Sequence, residues 1–299
     1  MTSYNLEVTS IPPLSKNKPR QAIVLCHGYG GDGKDISVLA INWQRFLPDA
    51  IFLCPNAPEI CSINPQGYQW FELSTDKEEV ILEKSLVAEE KLNMFLDQVF
   101  DNLQLESSNL ALVGFSQGCM LSIQVGLKRK KQINCLIGYS GKIINKEHLK
   151  NNINSKPKIF LMHGENDEIV LPTHLLDAKE YLIRHKIKVK TKLFKNCEHK
   201  IPLEGTSLGL SFLRSSFESG ATFRIIVNTG DWDSSIAANS PGQSGNPDSP
   251  FYSNLYQKWA NDKYFPMYYS KEKIKSVTYK RSYLTPSKTK LLLHKIYKI

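Results

Sequence analysis

No apolar stretch in this 299-residue chain reaches the roughly 18–20 consecutive positions that a membrane-crossing helix requires. The opening segment, MTSYNLEVTSIPPLSKNKPR, lacks the apolar core of a secretory leader, so a cytoplasmic location is expected. Six cysteines are present, at positions 26, 54, 61, 119, 135 and 197, but no C-x-x-C pair. Most sit beside apolar residues and read as buried reduced thiols. That excludes a disulfide framework and a cysteine-built metal site, and no metal is expected. G-K-[ST] is missing too. The glycine-rich stretch LCHGYGGDGKD (residues 25–35) therefore does not read as a phosphate loop, because G-x-G-x-x-G at Gly28, Gly30 and Gly33 is weak by itself.

Charge is present but uneven. The net charge is +9, and residues 217–299 hold 12 Lys/Arg against 6 Asp/Glu. A basic tail can contact nucleic acid or anionic lipid. Here the basic residues come without a recognisable binding motif. They read as a solvated segment, with no nucleic-acid partner. KTKLLLHKIYKI (residues 288–299) has the pattern of a membrane-surface segment, a reading that is not favoured.

From Gln21 to Arg214 the chain alternates short apolar runs with amphipathic stretches. QAIVLCHG, AIFLCPNAP, NLALVGFS, INCLIGYSG and KIFLMHGE read as strands, the continuous runs as buried parallel ones. KVKTKLFKN alternates like a more exposed strand. Residues 78–103, with apolar side chains three and four apart, read as a helix, as do stretches beginning at Gln117, Leu171 and Pro202. This rhythm predicts a three-layer α/β sandwich with a mostly parallel sheet. After about Phe217 it is lost. ATFRIIVNTGDWD suggests one strand, NSPGQSGNPDSPF is too dense in turn formers for a regular element, and NLYQKWANDKYF suggests a short helix. The expected division is a domain over 1–216 and a turn-rich C-terminal extension over 217–299.

Gly114-Phe115-Ser116-Gln117-Gly118 matches G-x-S-x-G at a strand-to-helix junction. A sharp turn there exposes the serine hydroxyl, and its neighbours must lack side chains or strand and helix collide. Ser140 in GYSGK and Ser244 in GQSGN are lookalikes whose second glycine comes one residue too early. Ser116 is therefore the candidate nucleophile. A serine needs a base and the base an orienting acid, which in α/β-hydrolases follow in the order acid, then histidine. KIFLMHGENDEIV supplies Asp167, in H-G-x-x-D after a strand, with Glu165 and Glu168 as rivals. His27, His148 and His163 precede the acid. His174 and His185 belong to a helix, and His294 to the tail. His199, between the exposed strand and the last helix, remains as the candidate base. The glycine-rich turn places the backbone N–H of Tyr29 as an oxyanion donor beside that of Gln117. Tyr68, Trp70 and Phe71, in the long segment 57–75, are candidates for an acyl-pocket wall; the competing reading is a loop packed on its own aromatics.

HGYGGDGKD, CPNAP, GFSQG, HGENDEIVLP and CEH, in this order, resemble the carboxylesterase/phospholipase family of α/β-hydrolases that includes the acyl-protein thioesterases. The resemblance covers about residues 18–214. It implies a cofactor-free enzyme that hydrolyses carboxylic esters or thioesters of small or single-acyl-chain substrates, with Ser116, Asp167 and His199 as the triad. Gly-Tyr stands where eukaryotic thioesterases usually have Gly-Leu, and Cys-Glu-His replaces the frequent Gly-His. Residues 220–270 resemble the end of the large subunit of penicillin-amidase-type hydrolases, whose N-terminal nucleophile lies far upstream of such a segment, so no amidase activity is expected. Two competing readings are a peripheral lysophospholipase guided by the basic tail and a non-catalytic scaffold whose tail covers the site.

Overall fold

The computed structural model describes residues 4–75 and 77–218, with the backbone of two short strands beyond them. It divides into two compact units, Met1–Ala221 and Thr222–Ile299.

The first unit is a seven-stranded sheet between two helical layers. Strand β1 (Val8–Ile11) is followed by β2 (Gln21–Cys26), α1 (Gly33–Gln44) and β3 (Ala50–Pro55). A small hairpin of β4 (Glu59–Ile60) and β5 (Tyr68–Gln69) precedes α2 (Glu78–Leu103). Then come β6 (Leu110–Phe115), α3 (Gln117–Lys128), β7 (Cys135–Tyr139), α4 (Lys146–Lys150), β8 (Lys158–Gly164), α5 (Thr173–Arg184), β9 (Val189–Phe194) and α6 (Leu203–Glu218). The strand order is β1-β3-β2-β6-β7-β8-β9, with β1 antiparallel to β3 and every other pair parallel.

Burial explains the sequence pattern. Strands β2, β6, β7 and β8 are covered on both faces, so their central residues are apolar in succession, as in Ala22–Cys26 and Ile159–Met162. Strand β9 is an edge and keeps Lys190 and Lys192 on alternate positions, which also discourages edge-to-edge pairing. One core cluster joins the sheet to α2, α3, α4 and α5 through Leu92, Phe95, Leu121, Val125, Leu149 and Leu182. The other joins it to α1 and α6 through Ile36, Trp43, Leu213 and Phe217. Among the helices described, α3 lies deepest: every residue from Gln117 to Leu127 is buried. It is packed between β6 and β7 on one side and α2 on the other, and this fixes its N-terminus, where Ser116 sits.

Each strand and helix expected between Gln21 and Arg214 is present, and α2 spans the predicted 78–103. The structure adds β1, α1, the β4–β5 hairpin and α4. Helix α1 starts inside the glycine-rich stretch because Asp32 caps it: its side chain accepts from Asp35 N–H, and Asp35 reaches back to the Asp32 N–H. Such reciprocal caps contribute about 1 kcal/mol.

In the second unit, β10 (Ile226–Asn228) pairs antiparallel with β11 (Ser276–Thr278). The strand expected after Ala221 is thus present in part. The helix expected at 254–265, Ser244, His294 and the segment 288–299 lie outside the described residues.

Candidate active site

The G-x-S-x-G turn forms because three backbones meet there. A Cβ on Gly114 would lie 2.4 Å from the Gly118 carbonyl oxygen, and one on Gly118 would lie 2.2 Å from the Cys26 carbonyl oxygen. Only glycine allows β6, α3 and the end of β2 to touch at these points. Between them Ser116 adopts φ +51° and ψ −117°, a sparsely populated conformation for a residue with a side chain. Its N–H donates to the Tyr139 carbonyl at 2.8 Å, which anchors the turn to β7.

The three candidate residues converge. Ser116 Oγ lies 2.9 Å from His199 Nε2, and His199 Nδ1 lies 2.8 Å from Asp167 Oδ2. Asp167 Oδ1 accepts the N–H groups of Ile169 (3.0 Å) and Val170 (2.9 Å). An ionised carboxylate only accepts, so Nδ1 of His199 donates to it and Nε2 is left to accept from the serine hydroxyl. The rivals Glu165 and Glu168 are exposed, whereas Asp167 is buried. Burial pushes the Asp167 carboxyl up, but the Val170 N–H and His199 outweigh it and hold the group below its usual value. The His199 ring also packs 5.0 Å from that of Phe115. Ser140 is 1% exposed, so this lookalike presents no hydroxyl to a substrate.

Gln117 follows the serine at the first position of α3, and Tyr29 lies on the β2–α1 turn, next to Gly28. Among the described residues, neither backbone N–H meets an acceptor. The Gly28 backbone packs against Ser116: a Cβ on it would lie 3.3 Å from that of the serine. The Gly28–Tyr29 peptide is trans, so its carbonyl and the Tyr29 N–H point in opposite directions. Two groups grip that carbonyl, His27 Nδ1 at 2.7 Å and Gly31 N–H at 3.2 Å. His27 Nε2 accepts the Ala57 N–H at 3.0 Å. These partners define one neutral tautomer, and burial lowers the His27 pKa. The sequence reading set His27 aside; its signal was the His-Gly dipeptide directly after a strand.

The expectation of an aromatic pocket wall needs correction. Trp70 and Phe71 are each 1% exposed and belong to the core, so they present no surface to a substrate. Instead they brace the site. The Gln117 side chain accepts from Trp70 N–H and donates to the Phe71 carbonyl, while Trp70 Nε1 donates to the His27 carbonyl. Tyr68 is half-buried, with its hydroxyl 3.5 Å from Glu7 Oε2. Among the described residues no His, Cys, Asp and Glu cluster has the form of a metal site.

A family model described as Phospholipase/Carboxylesterase matches residues 12–216. A penicillin amidase model matches residues 171–276. The second match begins well before the expected 220, and residues 171–218 fold here as α5, β9 and α6 of the α/β sheet. The chain is 28% identical over 179 residues to acyl-protein thioesterase 1 of Aspergillus fumigatus, covering 54% of this chain and 72% of that protein. It is 27% identical over 218 residues to acyl-protein thioesterase 1 of Saccharomyces cerevisiae, covering 67% and 94%. The crystal structure of esterase PE8 superposes with a TM-score of 0.68 at 33% identity, over 70% of this chain and 98% of that one. With one family model spanning more than half of its length, over the residues that build this sheet and this serine turn, the chain belongs to the phospholipase/carboxylesterase family and is a hydrolase acting on ester bonds.

Proposed function

We propose that the chain cleaves carboxylic ester or thioester bonds of small or single-acyl-chain substrates through a Ser116–His199–Asp167 triad. The observation that carries the reading is the continuous hydrogen-bonded relay from Ser116 Oγ through His199 to Asp167. Thioesters enter because similar proteins are named acyl-protein thioesterases.

In the first step His199 Nε2 takes the Ser116 proton as Oγ attacks the carbonyl carbon. The carbonyl oxygen becomes an oxyanion, received by the N–H groups of Tyr29 and Gln117. Each such donor lowers the barrier by roughly 3 kcal/mol. Asp167 stabilises the imidazolium and fixes its tautomer. His199 then passes the proton to the departing alcohol or thiol, which leaves Ser116 acylated. Water, deprotonated by His199, attacks the acyl-enzyme; collapse of that intermediate releases the acid and returns the proton to Oγ. No metal or redox cofactor has a step in this scheme. All groups used lie in residues 1–216, and the extension 217–299 is assigned no nucleophile.

Hydrolysis of p-nitrophenyl acetate, p-nitrophenyl octanoate and an S-octanoyl thioester by the full chain tests the reading. Turnover that is abolished in Ser116→Ala is expected. No turnover of any of the three by folded protein would contradict it.

A further inference from the structure

Two buried histidines close strands of the sheet, and the scheme above uses neither as an acid or base. His27 belongs to the oxyanion turn. His163, near the end of β8, is 2% exposed and faces the acid. Its Nε2 lies 2.7 Å from the Val170 carbonyl oxygen and 3.2 Å from Asp167 Oδ2. Both of those atoms can only accept, so Nε2 carries the proton. Asp167 thus accepts three hydrogen bonds, from Ile169 and Val170 N–H on Oδ1 and from His199 on Oδ2, and the His163 Nε2–H, bonded to the Val170 carbonyl, passes 3.2 Å from Oδ2.

We propose that His163 is a positioning residue of the hydrolytic site, whose Nε2–H bonds the Val170 carbonyl, ties the Asp167–Val170 loop to β8, and so keeps the neighbouring Oδ2 in line with His199. The inference rests on the triad reading above. His163 sits in the ladder, opposite Leu193 of β9, whereas Asp167 lies in the loop that follows β8. The histidine therefore transfers the rigidity of the sheet to a loop carboxylate. It also shares the charge of Oδ2. The N–H dipole 3.2 Å from that oxygen stabilises the carboxylate charge, so the imidazolium gains less from the carboxylate than it would without it.

The ionisable surroundings are consistent with a neutral His163. Burial lowers its pKa, and the neighbouring His199 acts in the same direction, against the Val170 carbonyl and Asp167. His174 of α5 is close enough to interact with it and is itself lowered by burial and by Lys142 and Lys146, against Asp177. The Cys197 thiol, on the His199 loop, is raised by burial and by Asp167. A charged His163 would place another cation among these groups.

The test compares the full-length wild type with His163→Leu and His163→Gln on p-nitrophenyl acetate across pH 5–9. Glutamine places an amide N–H near the Nε2 position; leucine removes it. His163→Leu is expected to lose roughly 10–100-fold in kcat, the scale of a displaced catalytic group. Its acid limb in kcat/KM is expected to move up, because the Asp167 carboxylate loses the neighbouring N–H dipole. His163→Gln is expected to keep most of the activity and the wild-type acid limb. A wild-type kcat with an unmoved limb in His163→Leu overturns the proposal, and so does an equal loss in both variants with neither limb moved. If His163→Leu does not fold, imidazole nitrogen NMR of the wild type decides. The proposal requires a neutral Nε2–H tautomer at pH 6.5, where an ordinary histidine is half protonated. A Nδ1–H tautomer or a half-charged ring contradicts it. If the wild type hydrolyses no ester, the triad reading fails, while the NMR result still judges the His163 hydrogen bonds separately.

Discussion

Ser116 Oγ and His199 Nε2 stand 2.9 Å apart although 83 residues separate them in the chain. The sheet closes that gap: β6 delivers the serine, and the loop after β9 brings the histidine across β7 and β8. The hydroxyl must be held by a turn that glycine alone permits, and this makes the nucleophile position costly to the fold.

Ser116→Gly is therefore expected to be more stable than Ser116→Ala, by about 1 kcal/mol, because alanine keeps the Cβ that strains φ +51°. Both lose activity by roughly five or six powers of ten. Thermal melting beside an esterase assay checks the pair. Equal melting temperatures would show that the turn stores no strain.

Gly118→Ala tests the contact beneath the turn. The added methyl lies 2.2 Å from the Cys26 carbonyl oxygen, so α3 and β2 must separate. A loss of about 3 kcal/mol or more in urea unfolding is expected, with activity falling as the oxyanion turn shifts. Wild-type stability would mean that helix and strand are not in backbone contact.

Asp167→Asn keeps the size of the acid and removes its charge. A roughly 10⁴-fold fall in kcat is expected, because an amide can present a donor to His199 and favour the wrong tautomer. His27→Ala acts on the other side of the serine. It leaves the Gly28 carbonyl held by the Gly31 N–H alone and so loosens the Tyr29 N–H, and kcat is expected to fall about tenfold or more while KM changes little. A KM effect with unchanged kcat would assign His27 to substrate binding instead.

Stability should peak between about pH 7 and 9. His27, His163 and His174 are held below their ordinary 6.5, chiefly by burial. The unfolded chain takes up protons there that the native state refuses, so their contribution is complete above 6.5 and is lost as pH falls through the lowered native values. Asp167, held below 3.8, adds a loss in more acidic solution. Burial pushes the thiols of Cys26, Cys54, Cys119 and Cys135 from 9.0 up to about 12, and their contribution is lost as pH rises above 9. Urea midpoints at pH 5, 8 and 10 under reducing conditions check this. A higher midpoint at pH 5 than at pH 8 would contradict it.

The sandwich was legible because a strand buried on both faces must be apolar throughout, as in Ala22–Cys26 and Leu110–Val113. The candidate triad was legible because a nucleophile turn needs Gly114 and Gly118, and because acid and base follow strands in a fixed order. Helix α1 was not, since the capping pair Asp32 and Asp35 sits among glycines that suggested only a turn. Trp70 and Phe71 show a second limit: an aromatic in a long loop has the same sequence signature whether it faces a cleft or the core. His27 and His163 show a third. Their partners, Ala57 N–H and the Val170 carbonyl, are set by tertiary structure, and neither follows from periodicity.

The most direct measurement is covalent labelling of the full chain with a fluorophosphonate, followed by mass mapping of the adduct. The account predicts one adduct per chain, on the peptide containing Ser116, and none in Ser116→Ala. An adduct on another serine, or no adduct on folded protein, would contradict it.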